Sequence, residues 1–131
     1  MRVTELSSQA FEFSGRLRSF RHAGVGIATM LRSQHNAWIH AVATLAVVTV
    51  GAVLHVTRVD WCLLTMAIVA VWVAEALNTA FEFLCDVASP DFHPLVKKSK
   101  DVAAGAVLLA AIGAVVVGLI VLVPYLQMRF P

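Results

Sequence analysis

Two glutamates, Glu75 and Glu82, lie within a stretch from Trp61 to Ala88 that otherwise has the composition of a membrane-spanning helix. A carboxylate in the hydrocarbon core costs about 2.5–3.5 kcal/mol on insertion scales. Such residues therefore face a protein interior or a water-filled cavity, and they commonly mark a functional site. Any fold of this chain has to shelter both side chains from lipid.

The rest of the chain also has the composition of a membrane protein. Of its 131 residues, 60% are hydrophobic, whereas soluble domains contain about 45–50%. Three apolar segments, at about residues 37–56, 61–84 and 102–126, approach or exceed the ~20 residues that a spanning helix requires. The turn Thr57–Asp60 is short, so the first two segments are expected to form an antiparallel hairpin. The second connection, Ser89–Lys100, is longer.

The basic residues are distributed unevenly around these segments. Two of them are predicted to lie on one side of the membrane: Arg58 in the turn after the first segment, and Arg129 after the third segment. The others precede the first segment or lie in the second connection: Arg2, Arg16, Arg18, Arg21, Arg32, Lys97, Lys98 and Lys100. The positive-inside rule then places the N-terminus in the cytoplasm and the C-terminus outside. Because Arg2, Glu5 and Glu12 interrupt the N-terminal region, no removable signal peptide is expected.

A fourth helix is predicted at about residues 6–33. Its apolar residues are spaced alternately by four and three positions, which places them on one helical face: Leu6, Ala10, Phe13, Leu17, Phe20, Gly24, Ile27 and Leu31. Arg18 and Arg21 fall on other faces. This pattern is typical of a basic helix lying in the membrane interface, although an amphipathic helix packed on protein would show it too. The predicted fold class is therefore an all-α membrane protein with an N-terminal amphipathic surface helix and three transmembrane helices, forming one domain over residues 1–131.

Polar side chains follow one face of the second predicted span. At 100° per residue, five of them project within an arc of about 100°: Glu75, Asn78, Thr79, Glu82 and Asp86. We call this set the polar stripe. Its length is roughly 16 Å at 1.5 Å per residue, so it extends from within the membrane to the cytoplasmic edge.

The polar stripe is compatible with several kinds of chemistry. Carboxylates can bind a divalent cation, act as general bases or relay ions across a membrane. A purely structural polar network is the remaining alternative. Lys97, Lys98 and Lys100 could supply the counter-charge, and Lys100 beside Asp101 suits binding of a nucleotide and its metal, although lysines near a membrane also serve as topology anchors. Neither common glycine-rich phosphate-binding motif occurs in the sequence.

A longer pattern extends over most of the chain. It consists of the run EALNTAFE from Glu75 to Glu82, then Asp86, His93, Lys100–Asp101 and Ala103–Ala104, preceded by a block with Ser19–Ala23, Asn36 and His40. Together these residues closely resemble the signature of the bacterial integral-membrane diacylglycerol kinase and undecaprenol kinase family. The resemblance covers about residues 16–125.

The resemblance implies a small homotrimer in the bacterial inner (plasma) membrane, with no nucleic-acid partner. It would use MgATP to phosphorylate the hydroxyl of a lipid alcohol at the cytoplasmic face. The N-terminal block is more similar to the undecaprenol kinase branch, which makes undecaprenol the first expected acceptor and diacylglycerol the second.

Roles for individual residues follow from the same resemblance. Glu75 would be the general base, Asn78 would steady the reacting groups, and Glu82 would bind Mg²⁺. The resemblance also implies a set of nucleotide-binding residues: Arg16, His22, Glu82, Asp86, Asp91, Phe92, His93, Lys100 and Asp101.

The chain departs from the family pattern at one position of the expected metal site. Where well-known members have a second metal-binding glutamate, late in the surface helix, this chain has Gln34. The amide oxygen of Gln34 can bind Mg²⁺, but the site loses one negative charge. Two alternatives to the lipid kinase follow: a catalytically weak relative that acts as a membrane interaction protein, and a small ion transporter that uses Glu75 and Glu82. Confinement of the polar stripe to the cytoplasmic half of one span argues against the transporter.

Overall fold

The computed structural model describes residues 13–129, and within them all regular secondary structure is helical. Four helices follow one another: α1 (Phe13–Ser33), α2 (His35–Leu54), α3 (Arg58–Ala88) and α4 (Pro94–Arg129). Helices α2, α3 and α4 are long and apolar enough to cross a membrane. The prediction of an all-helical chain with three spans is thus confirmed, whereas the predicted start of the surface helix at residue 6 lies outside the described residues.

Helices α2 and α3 are joined by a tight turn whose residues stop one helix and start the next. His55 adopts the left-handed conformation, with φ 52°, and ends α2. Thr57 then caps α3: its side chain accepts from the Asp60 N–H, and the Asp60 carboxylate accepts from the Thr57 N–H. This capping box starts α3 at Arg58, so most of the predicted turn belongs to the first turn of the helix.

The predicted second connection, Ser89–Lys100, is wrong in its extent. Helix α3 continues to Ala88 and α4 already begins at Pro94, which leaves only residues 89–93 between them. A proline at the first helical position costs no hydrogen bond, because that N–H would have no partner within the helix. The three lysines of this region therefore lie on the first turns of α4 and not in a loop.

Helix α4 packs chiefly against α3. At the end where α2 turns into α3, Val56, Leu64 and Val121 form a buried apolar cluster. The indole of Trp61 lies against Gly51, where a Cβ atom would come within 3.0 Å of the ring. Only a residue without a side chain gives the indole this much room.

Helix α1 joins α2 through Gln34 alone and contacts both α2 and α3. Met30 is buried at this junction, whereas Leu17 and Phe20 are 60% and 76% exposed. The arrangement is that of a helix attached at its C-terminal end to the three long helices. Its position in the membrane interface and the assembly into a homotrimer stay predictions.

Candidate active site

The polar stripe faces the interior of the helix bundle at its deep end and the solvent at its shallow end. Glu75, Asn78 and Thr79 are buried, Glu82 is half-buried and Asp86 is exposed. The Thr79 hydroxyl donates to the Glu75 carbonyl at 2.9 Å, so this residue is satisfied within its own helix. The carboxylates of Glu75 and Glu82 and the amide of Asn78 stay available to line a site.

These three side chains line a cavity of about 260 Å³ between α2, α3 and α4. Helix α2 contributes Asn36 and His40, and α4 contributes a wall of small and apolar residues that begins at Ala104. The cavity therefore has one polar side, built by α2 and α3, and one apolar side. A site of this kind can hold a polar group that carries an apolar chain.

Two amides hold the carboxylate of Glu82. Gln34 Nε2 donates to Glu82 Oε2 at 2.8 Å, and Asn78 Nδ2 donates to Glu82 Oε1 at 3.0 Å. Gln34 reaches this position from the junction of α1 and α2, where its backbone is extended. The structure thus brings Gln34, Asn78 and Glu82 together, as the predicted site requires.

Deeper in the cavity, several buried polar atoms have no hydrogen-bond partner. Among the described residues these are Glu75 Oε1 and Oε2, Asn78 Oδ1 and His40 Nε2. A buried polar group without a partner costs about 1–3 kcal/mol. Native structures contain few such groups, so four atoms at one place indicate a site for a ligand.

His40 is a residue whose part in this cavity the sequence analysis missed. Its Nε2 lies 3.7 Å from Glu75 Oε2. The ring stands edge-on to Trp72, with centroids 6.4 Å apart, and Trp72 Nε1 donates to Thr44 Oγ1 at 3.1 Å. Helical spacing offered the missing signal: His40 and Thr44 are four residues apart on α2, and Trp72 and Glu75 are three apart on α3, so each pair shares one face.

Lys100 and Asp101, which are predicted to bind a nucleotide and its metal, each form an ion pair with a different residue. Lys100 Nζ binds Asp86 Oδ1, which ties α4 to the end of the polar stripe, and Lys97 Nζ binds Asp101 Oδ2 at 2.6 Å. Neighbouring residues on a helix point about 100° apart, whereas residues four apart share a face. The Lys97–Asp101 pair is exposed, whereas Lys100 is half-buried against an exposed Asp86, and none of the four residues lines the cavity.

The remaining predicted nucleotide-binding residues lie in two places, the connection between α3 and α4 and the surface of α1. Asp91, Phe92 and His93 form the connection into α4, with Phe92 80% exposed. His93 Nδ1 accepts from the Leu95 N–H at 3.2 Å, which fixes its ring at the start of α4. Arg16 and His22 lie on the exposed surface of α1 and do not line the cavity.

The donor atoms of the cavity can supply some of the ligands of Mg²⁺, but not a complete set. Among residues 13–129, no three His, Cys, Asp or Glu side chains are grouped as metal ligands. Mg²⁺, however, is usually held by one or two carboxylates together with substrate phosphates and water. Glu82 and the unpartnered Asn78 Oδ1 are hard oxygen donors of this type, and Gln34 becomes one if its amide rotates. The residues therefore fit an ion that arrives with a phosphate-bearing substrate.

Comparison with known proteins identifies the family. Residues 21–122 match the prokaryotic diacylglycerol kinase family. The chain belongs to this family. Its curated relatives include an undecaprenol kinase of Bacillus subtilis, 37% identical over 109 residues that cover 83% of this chain and 89% of the relative.

Two diacylglycerol kinases are similar as well. The protein from Synechocystis is 41% identical over 109 residues, or 82% of this chain, and the match covers 62% of that longer relative. The protein from Escherichia coli is 33% identical over 93 residues, or 66% of this chain and 76% of the relative. These matches confirm the family and the prediction that this membrane protein is a lipid kinase. The acceptor, the metal and the role of each residue stay predictions.

Proposed function

We propose that this chain transfers the γ-phosphoryl group of ATP to the hydroxyl of a membrane lipid alcohol at the cytoplasmic face. The observation that carries this proposal is the Glu75 carboxylate, which is only 1% exposed, opens into the cavity and has neither oxygen hydrogen-bonded. Such a carboxylate is a hydrogen-bond acceptor that lacks a donor. A lipid hydroxyl is a donor that is small enough for the cavity and reaches it from the membrane.

Glu75 would act as the general base. It takes the proton of the lipid hydroxyl while the hydroxyl oxygen forms a bond to the γ-phosphorus, and the bond from that phosphorus to the bridging oxygen breaks to release ADP. Glu75 is the deepest acid of the polar stripe. Because a lipid hydroxyl approaches from the membrane, Glu75 is the acid that it reaches. The apolar wall from α4 excludes water, which would otherwise compete as acceptor.

Asn78 and Glu82 would hold the phosphate-binding part of the site. Glu82 lies one helical turn above Asn78 and nearer the exposed end, so it is placed to bind Mg²⁺ carried by the nucleotide, with Gln34 beside it. Bound there, Mg²⁺ would neutralise charge on the transferring phosphoryl group. Asn78 lies between Glu75 and Glu82 along α3, where its Oδ1 would help to hold Mg²⁺ and its amide nitrogen would donate to the γ-phosphoryl group.

The nucleotide would lie at the exposed end of the polar stripe. Lys100 and Asp86 join α4 to α3 there, and Lys97 with Asp101 lies one turn away. Since His93 Nδ1 already accepts a backbone N–H, its Nε2 is the ring nitrogen left to donate to a phosphate. Phe92 offers an exposed ring on which a base can stack, and Arg16 and His22 of α1 would contact the nucleotide from the other side.

Undecaprenol is the proposed first acceptor and diacylglycerol the second. Support comes from the B. subtilis undecaprenol kinase, 89% of whose length is covered by the match. The distribution of basic residues supports a cytoplasmic N-terminus, and hence a site at the cytoplasmic face of the bacterial plasma membrane. A homotrimer would cover part of the apolar surface that a single chain leaves exposed.

The test is a phosphorylation assay on the purified protein in mixed micelles, with MgATP and either undecaprenol or diacylglycerol. We expect a phosphorylated lipid from both, with the higher kcat/KM for undecaprenol, and no product without magnesium. The matched control is Glu75→Gln, which keeps the shape of the side chain. Absence of product from every lipid alcohol, while MgATP still raises the melting temperature, would favour the catalytically weak relative, for which the hydrogen bond from Gln34 to Glu82 is the motivating observation.

A further inference from the structure

The imidazole of His40 has no role in the reaction as described so far. Its Nε2 is buried without a hydrogen-bond partner, and the nearest acidic atom, Glu75 Oε2, is 3.7 Å away. This separation exceeds the 2.7–3.2 Å of a hydrogen bond by about 0.5 Å or more. In enzymes without substrate, catalytic hydrogen bonds are often long in this way and shorten when the substrate binds.

The surroundings of His40 hold its ring in place. Trp72 packs edge-on against the imidazole from α3, and its own indole N–H is fixed by the Thr44 hydroxyl of α2. The side chain of His40 is only 14% exposed. A ring restrained on one side by an anchored indole presents Nε2 in one direction, toward the carboxylate.

The charge balance near Glu75 gives this contact its importance. No lysine or arginine occurs between Arg58 and Lys97, and the cationic side chains that the structure pairs with acids lie at the exposed end of the polar stripe. The hydrogen-bonded neighbours of Glu82 are amides. Of the two polar α2 side chains that line the cavity, Asn36 and His40, the structure places the His40 Nε2 near Glu75, at 3.7 Å from Oε2.

We propose that His40 is a positioning residue for the general base, an inference that rests on the proposed function. When the lipid hydroxyl is bound, His40 Nε2–H donates to Glu75 Oε2, and the contact shortens to hydrogen-bond length. Glu75 Oε1 is then the oxygen that accepts the hydroxyl proton. His40 donates this hydrogen bond and takes no part in the proton transfer itself. The function of His40 is to hold Glu75 Oε2, so that Oε1 stays directed toward the lipid hydroxyl and the carboxylate does not rotate.

The test compares two amides at one position. His40→Gln places its amide nitrogen near the position of Nε2, whereas the shorter His40→Asn places it near Nδ1 and cannot reach Glu75. We expect His40→Asn to lose at least about tenfold in kcat and His40→Gln to stay within about threefold of the wild type. The KM for ATP should change little in either variant, and both melting temperatures should stay close to that of the wild type.

His55→Asn serves as the matched control, because His55 is exposed at the far end of α2 and asparagine tolerates its left-handed conformation. It should have wild-type kinetics. If His40→Asn does not fold, His40→Leu replaces it, with the same expected loss.

Each result decides between two statements. Equal activities of His40→Asn and His40→Gln, whether both high or both low, would overturn the positioning role while leaving the lipid kinase proposal intact. A wild-type protein that phosphorylates no lipid alcohol would overturn the proposed function and this inference with it.

Discussion

Two regions of α3, its first turn and the polar stripe in its second half, differ in how their acidic side chains are hydrogen-bonded. At the hairpin end, where α2 turns into α3, Asp60 Oδ2 accepts from the Thr57 N–H, the Thr57 hydroxyl and the Tyr125 hydroxyl, the last at 2.6 Å. In the polar stripe, the Glu75 carboxylate has no hydrogen bond although it is far more deeply buried.

The difference separates a structural carboxylate from a functional one. Asp60 caps α3 and, through Tyr125, fastens the C-terminal part of α4 to the hairpin, so its bonds stabilise the fold. The unpartnered oxygens of Glu75 do the opposite, because burying them costs free energy. Residues that are retained at such a cost commonly serve binding or catalysis. Substitutions that remove the Asp60 contacts should therefore lower the melting temperature, whereas substitutions of Glu75 should lower kcat.

The largest effect is expected from Glu75→Gln. Loss of the proton acceptor should lower kcat by about 10²–10⁴-fold, and the melting temperature should stay equal to that of the wild type or rise, because an uncompensated buried carboxylate is removed. Lipid phosphorylation and thermal unfolding in the same detergent check both statements. A variant that loses MgATP binding together with turnover would contradict the assignment of Glu75 as the base.

Glu82→Gln should have the next largest effect. Removing one negative charge from the proposed metal ligand should raise the magnesium concentration for half-maximal activity by about tenfold or more. Titration of activity with magnesium at fixed ATP measures this concentration. An unchanged magnesium requirement would show that the carboxylate of Glu82 does not contact the ion.

Tyr125→Phe tests the hairpin end. The variant keeps the ring and loses the hydroxyl that binds Asp60, so the melting temperature should fall by a few degrees while kcat stays at the wild-type value. Glu75→Gln is the reciprocal control, since it should lower kcat without lowering the melting temperature. If Tyr125→Phe lowered kcat without changing stability, the division of α3 into a structural first turn and a functional second half would be wrong.

The smallest effect is expected from Gln34→Glu. A carboxylate at this position replaces the amide that now donates to Glu82 Oε2 and adds a negative charge beside it. Two adjacent carboxylates repel each other unless a cation lies between them, so the affinity of the site for Mg²⁺ should rise. The magnesium concentration for half-maximal activity should therefore fall a few-fold. The same titration applies, and an unaltered magnesium curve would place Gln34 outside the metal site.

Much of the fold could be predicted from the sequence because the bilayer restricts the choices. Spans of apolar residues predict helices, and the five-residue polar stripe predicts which face of α3 is sheltered. The start of α4 was misplaced because Lys97, Lys98 and Lys100 lower the hydropathy of its first turns, whereas the helix is fixed by Pro94 and by the pair Lys97–Asp101.

Contacts between helices were harder to predict than the helices themselves. Single-chain periodicity shows which residues share a face but not which faces meet. The pairing of Lys100 with Asp86 and the approach of His40 to Glu75 depend on how α2 and α4 lie against α3. The spacing of His40 and Thr44 shows that they share a face of α2, but it does not show that this face meets Glu75.

The short connection 89–93 has a consequence for the alignment of α3 and α4. Because an extended chain spans at most ~3.6 Å per residue, so short a connection limits how far α4 can slide along α3. Asp86 and Lys100 therefore keep a fixed offset along the two helices, and inserting a single residue after Pro94 would turn Lys100 by about 100° away from Asp86. The ion pair that joins α4 to α3 thus depends on helix register, which point substitutions leave unchanged and insertions alter.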